Sequence, residues 1–169
     1  MGDLGWVADR IAIQDVLVRY CRGIDRRDVD TIRSVYWPDS YDDHGGFKGN
    51  GHAFAERVVP ALDAQFDATH HSILNSSVDL DGDVAHTETY VHAYHVMKSP
   101  PGAPKRVFLY AGRYIDRLEK RGGAWRIAHR VCVYDFDRID PIADAQSEAW
   151  TSTFQHGTRD AHDPSFTRA

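Results

Sequence analysis

A chain of 169 residues with 42% apolar and 27% charged residues has the make-up of a soluble globular domain that can bury a core without staples. Its net charge of −5, with no long run of Lys or Arg, gives no electrostatic reason to expect nucleic acid as a partner. No apolar run reaches the ~18 residues of a membrane helix. The opening MGDLGW also lacks the basic and apolar regions of a signal peptide, so a cytoplasmic location is expected.

Ile13, Leu17, Tyr20 and Ile24 recur at steps of four, three and four, which is one stripe of a helix spanning residues 4–24. Gly23 weakens that helix near its end. Asp28 is a good N-cap for a second helix carrying Val29, Ile32, Val35 and Tyr36, which Pro38 stops. Asp25 therefore falls at a helix–helix junction, where a carboxylate can be aimed inward without breaking a core stripe. Residues 40–48 read as an extended segment broken by Gly45 and Gly46. Asn50 caps a third helix with Phe54, Val58, Leu62 and Phe66 at steps of four, and Pro60 is expected to kink it. Strand grammar then takes over, at about 70–80, 83–97, 105–119 and 124–136. Asp81-Gly82 and Arg121-Gly122-Gly123 serve as hairpin turns, and residues 99–104 form a longer loop. Helices followed by an antiparallel meander make an α+β domain over residues 1–145. Residues 146–169 lose periodicity but keep Trp150, Phe154 and Phe166. They are expected as a tail laid over the body or over a neighbouring subunit.

His70 and His71 are neighbours on a strand and point to opposite faces, so only one can enter a pocket. An imidazole oriented by a carboxylate is a general base, and Asp25 is a carboxylate that can be aimed inward. The bland alternative is a hydrogen-bonded core histidine and a helix-capping aspartate. The ten histidines invite a metal reading, yet His92 and His95 stand three apart on a strand and face opposite ways. No metal is expected. Cys21 and Cys132 fall in apolar stretches, which suits buried thiols rather than a disulfide or a nucleophile. The glycines at 45–51 are not followed by the Lys-Ser/Thr of a phosphate loop, and no nucleotide, flavin or other cofactor is expected.

Four stretches in this order, IAIQDVLVRYCRGID, SVYWPDSYDDHGG, THHSILNSSVDLDGDVA and GRYIDRLEKRGGAWRIAHR, resemble the SnoaL-like branch of the nuclear-transport-factor-2-like superfamily across residues 8–136. That family includes scytalone dehydratase, bile-acid 7α-dehydratase, hexachlorocyclohexane dehydrochlorinase and polyketide cyclases. It also includes non-catalytic carriers and the small subunits of ring-hydroxylating dioxygenases. The resemblance implies a curved antiparallel sheet wrapped around helices, a cystatin-like cone with a blind apolar pocket. It places the catalytic histidine four residues before an asparagine, which here selects His71 and Asn75, and it matches Asp25 to the carboxylate that holds that ring. Tyr20 stands where the bile-acid enzymes carry a tyrosine and the dehydrochlorinase a lysine. It is either a phenol donor or one more member of the apolar stripe. His44 falls where scytalone dehydratase places a water-binding tyrosine, with an exposed loop histidine as the alternative. Arg130, from the last strand, is either near the pocket or in a buried ion pair. His92 is a candidate polar wall group.

The function these readings imply is a cofactor-independent lyase in which His71 abstracts a proton and Asp25 stabilises the imidazolium. Water, halide or a small aldehyde would leave from a neutral, apolar, cyclic or aromatic substrate. The alternative is a non-catalytic ligand-binding or accessory protein on the same fold, such as a dioxygenase small subunit. A homo-oligomer is expected, a trimer before a dimer, because the outer face of such a sheet needs cover.

Overall fold

In the computed structural model, which describes residues 4–142 and 149–167, the apolar stripe forms the buried face of α1, Leu4–Arg26. Ile13, Val16, Leu17, Tyr20, Cys21 and Ile24 are all buried. Gly23 does not end this helix. A Cβ there would stand 2.9 Å from the Ile32 side chain, so glycine is what lets α2, Val29–Ser34, lie against α1. The chain turns between the two helices at Arg27, in the left-handed region with φ 57°, as helix C-termini commonly do. Asp28 then caps α2 by accepting from the Thr31 N–H at 2.9 Å.

The expected second helix stops short. Tyr36 opens β1, Tyr36–Asp43, and Pro38 lies inside that strand rather than ending a helix. It falls where the pairing register shifts between Tyr36 and Tyr41, a break in the ladder that tolerates a residue without an N–H. β2, Lys48–Gly49, folds back on β1. Asn50 caps α3, Gly51–Gln65, by accepting from the His52 N–H at 2.9 Å, and Pro60 lies within the helix.

Four long strands follow: β3 Phe66–Asp81, β4 Val84–Met97, β5 Arg106–Arg121 and β6 Ala124–Pro141. β3 starts earlier and β6 ends later than periodicity suggests, because pairing with β4 and β5 supplies backbone partners to stretches without clean alternation. The sheet order is β2-β1-β6-β5-β4-β3. All pairs are antiparallel except β1 with β6, which is parallel. This is an α+β domain with the helices packed on one face of a curved sheet. Tyr20, Ile32, Phe54, Val91, Tyr114, Leu118, Trp125 and Ile127 meet in its core.

A charged pair sits inside that core. Arg130 is buried and donates from Nε and Nη2 to the two oxygens of buried Asp116, at 2.7 and 2.6 Å. Its guanidinium lies between the rings of Tyr20 and Tyr114, 4.1 Å from each centroid. Burial works against its charge, but the Asp116 carboxylate outweighs burial and raises the group well above its ordinary value.

The described part of the C-terminal tail includes a helical turn at 149–151 and α4, Pro164–Thr167. The boundary expected at 145–146 lies outside the described residues. The tail reaches the body through polar contacts: Arg26 pairs with Asp163 at 3.4 Å, and the Arg22 guanidinium lies 4.8 Å over the Phe166 ring. Trp150 and Phe154 pack edge-on at 4.7 Å and are 66% and 54% exposed in the single chain. No helix among the described residues is long and apolar enough to cross a membrane.

The buried pair gives the first prediction. Asp116→Ala leaves an uncompensated charge in the core and is expected to lower unfolding stability in urea by about 3–5 kcal/mol. Asp116→Leu combined with Arg130→Met, which removes both charges, is expected to cost markedly less. Equal losses in the single and double variants would contradict this account of the core.

Candidate functional site

Asp25 lies in the last turn of α1, and its carboxylate reaches across to the edge strand β3. Oδ1 accepts from the His71 ring Nδ1 at 2.8 Å, and Oδ2 accepts from the His71 backbone N–H at 2.8 Å. The Thr69 hydroxyl adds a third bond to Oδ1 at 2.9 Å. Thr69 in turn accepts from Arg27 Nη1 at 2.9 Å, and the same nitrogen donates to the Ile24 carbonyl at 2.8 Å. Burial tends to raise the Asp25 pKa, but the bonds from His71 and Thr69 outweigh it and hold the carboxyl below its ordinary value. An ionised Asp25 accepts from Nδ1–H, which leaves the lone pair on Nε2. Among the described residues no protein group bonds Nε2. His70 is exposed and, like His71, borders the cavity between α1 and β3.

His71 lines two cavities. The inner one, about 290 Å³, is bounded by His44, His71, Ala93, His95, Phe108, Tyr110, Tyr114, Cys132 and Tyr134. The larger one, about 700 Å³, opens between α1, β3 and the tail. Across the inner cavity His44 is held as firmly as His71. Its Nδ1 stands 2.6 Å from Asp42 Oδ1, its Nε2 stands 3.1 Å from the Tyr20 hydroxyl, and its ring stacks on Phe54 at 4.2 Å. Asp42 is buried and accepts a second bond, from the Tyr36 hydroxyl, at 2.6 Å. The inner cavity thus has a histidine–aspartate pair on each of two walls.

The remaining predicted residues are placed differently. Tyr20 is buried behind His44 and lines neither cavity. Arg130 lies deeper still, in its pair with Asp116. Their link to the site runs through His44, which Tyr20 contacts, and through Tyr114, a wall of the inner cavity that stacks on Arg130. His92 is on the outer face of β4 and lines neither cavity. Its neighbour in the pattern, His95, faces inward. His95 donates from Nδ1 to the Ala93 carbonyl at 3.0 Å and packs edge-on to His71 at 5.5 Å between centroids. Burial, with a smaller contribution from the His71 charge, lowers its pKa to about 4, so it stays neutral beside His71. Cys21 and Cys132 are free thiols. Burial raises Cys21 to about 12 and Cys132 well above its ordinary value, which makes both poor nucleophiles.

Sequence reasoning missed Asp42, His95 and the tyrosine wall. Asp42 carried a usable signal, because it precedes His44 by two residues on an extended segment, and such residues share a face. Tyr110 depends on Gly112, since a Cβ at that bulge would collide with the Tyr110 ring and the Val133 carbonyl. Gly112 thereby lets Tyr110 fold inward, where its hydroxyl donates to Val133 O at 2.7 Å.

Comparison with known proteins agrees with this architecture. A family model described as a SnoaL-like domain matches residues 6–131. The uncharacterized protein Rv2910c of Mycobacterium tuberculosis is 30% identical over 136 residues, covering 79% of this chain and 90% of that protein. Hexachlorocyclohexane dehydrochlorinase LinA-type3 from Novosphingobium barchaimii superposes with a TM-score of 0.70 at 22% identity, covering 84% of this chain and 95% of that one. A putative scytalone dehydratase from Novosphingobium aromaticivorans gives 0.68 at 18% identity, covering 78% and 87%. The two structural likenesses establish a shared fold. With the family match running from α1 through the sheet into β6, the chain belongs to the family of SnoaL-like domains.

Proposed function

We propose that this protein is a cofactor-independent lyase whose base is His71. One observation carries the reading: Asp25 grips both the ring Nδ1 and the backbone N–H of His71, and among the described residues Nε2 is left without a protein partner. In the reaction Nε2 takes a proton from a carbon or hydroxyl of the substrate. The electron pair released forms the new double bond, and the leaving group departs with the old bonding pair. Asp25 stabilises the imidazolium that results. On the opposite wall His44 supports the oxygen that leaves or becomes an enolate. To reach that oxygen the His44 ring gives up its 3.1 Å contact with the Tyr20 hydroxyl, the longer of its two oxygen contacts, and turns towards the cavity. Apolar and aromatic walls from Ala93, Phe108, Tyr110 and Tyr114 suit a small cyclic or aromatic body. Loss of water fits this layout best, and loss of halide or of a small aldehyde by carbon–carbon cleavage uses the same base.

Turnover of a panel of cyclic hydroxy ketones, halocycloalkanes and aldol-type substrates tests the proposal. On any substrate the wild type converts, His71→Gln is expected to lower kcat by ~10²–10⁴-fold. Asp25→Asn is expected to cost about 10²-fold or more, because the amide can no longer fix the ring's tautomer. A His71→Gln variant that turns over at the wild-type rate removes the base. Ligand binding with no turnover of any panel member favours the non-catalytic reading instead.

His95 supplies a pH prediction. Its folded pKa of about 4 lies below the ordinary 6.5, so between those values the unfolded chain binds a proton that the folded chain refuses. Stability therefore falls as pH drops from about 6.5 towards about 4 and levels off below. The full effect is on the order of 3 kcal/mol. His95→Phe is expected to flatten that part of the stability–pH curve. An unchanged slope in the variant would mean another group is responsible.

A further inference from the structure

The base reading uses only one wall of the larger cavity, and the rest of that cavity has its own chemistry. Arg22 and Arg26 project from the last turns of α1, four residues apart and hence on one face with Val18. Arg159 comes from the tail, beyond the residues that the family model matches. All three arginines line the same 700 Å³ space, as does His70. Their protein partners do not match this charge. Arg26 stands 3.4 Å from Asp163, whose oxygens are already taken by the Thr158 and Ser165 N–H groups at 2.9 and 3.0 Å. The other carboxylate at the cavity, Asp25, is committed to His71 and Thr69.

Among the described residues neither Arg22 nor Arg159 has a carboxylate within ion-pair distance. Arg22 lies over the Phe166 ring. Arg159 donates from Nη1 only to the neighbouring Thr158 carbonyl, at 3.1 Å, and its Nε is buried with no hydrogen-bond partner. Such a nitrogen is costly to leave unpaired. Burial, followed by the charges of Arg26 and Arg27, lowers the Arg159 pKa from its ordinary value, the direction expected of cations crowded without enough anions. Val18, Ile73, Tyr94 and Val96 line the same cavity and give it apolar surface.

We propose that this cavity binds an organic oxyanion, a carboxylate or phosphate on an apolar body, with the oxyanion held by Arg22 and Arg159 and the body directed at His71. Guanidinium forks match both oxyanions in geometry and charge. As a statement about the substrate the inference rests on the base assigned to His71, whereas as a statement about binding it stands on the arginines alone.

Calorimetric titration with cyclohexanecarboxylate, phenyl phosphate and the neutral cyclohexanecarboxamide needs no turnover, so its outcome is independent of the base assignment. At least one of the two oxyanions is expected to bind about tenfold or more tighter than the amide. That preference is expected to disappear in Arg22→Gln combined with Arg159→Gln and to persist in Arg159→Lys. Circular dichroism shows whether each variant keeps its fold. Wild-type protein that binds the amide as tightly as both oxyanions overturns the proposal whatever the variants do. A folded double variant that keeps the preference overturns it as well.

Discussion

Two oxygens of one carboxylate fix the geometry on which the site depends. Asp25 accepts from the His71 ring with one oxygen and from the His71 backbone with the other, so the imidazole is held by a carboxylate that its own main chain keeps in place. This joins the end of α1 to the edge strand β3 at the point where chemistry is proposed. The position is unfavourable for a negative charge, because a helix C-terminus carries partial negative charge of its own. Arg27 offsets that cost. In its left-handed conformation it caps the Ile24 carbonyl and donates to Thr69, which passes a further bond to Asp25.

Behind the opposite wall a second polar assembly has a different purpose. Arg130 and Asp116 cancel each other's charge in the core, and the rings of Tyr20 and Tyr114 enclose the guanidinium. Tyr20 then meets His44 with its hydroxyl, and Tyr114 forms part of the cavity wall. A buried ion pair is a weak source of net stability, but it fixes the orientation of what packs on it. In this chain it holds the aromatic rings that stand behind His44 and beside the inner cavity.

How much of this was legible in the sequence depended on which force set each feature. The α1 stripe and the hairpin turns follow from local periodicity and turn chemistry, and they were readable. His71 and Asp25 were readable as a pair only because their spacing resembles a family pattern, since 46 residues separate them. The choice between His92 and His95 could not be read. Strand alternation separates the two, but which parity faces inward is set by the pairing of β4 with β3 and β5. Arg130 was readable as a buried cation once its partner was known, yet Asp116 lies on a different strand and leaves no local trace. Tyr36 and Pro38 misled for the same kind of reason, because a parallel neighbour, β6, draws that stretch into the sheet. The tail gave the least. Its aromatics suggested burial, whereas its anchors are Asp163 and the arginines of α1.

The central claim is that Asp25 holds His71 with its proton on Nδ1 and its lone pair on Nε2, and nitrogen NMR of the histidine ring reads this without a substrate. Protein labelled with ¹⁵N at its histidines, with His71 assigned by comparison with His71→Gln, is expected to show in the neutral ring a protonated Nδ1 and an unprotonated Nε2. In Asp25→Asn that tautomer is expected to lose its preference. A neutral His71 protonated on Nε2 in the wild type, or a tautomer balance that Asp25→Asn leaves unchanged, would contradict the account.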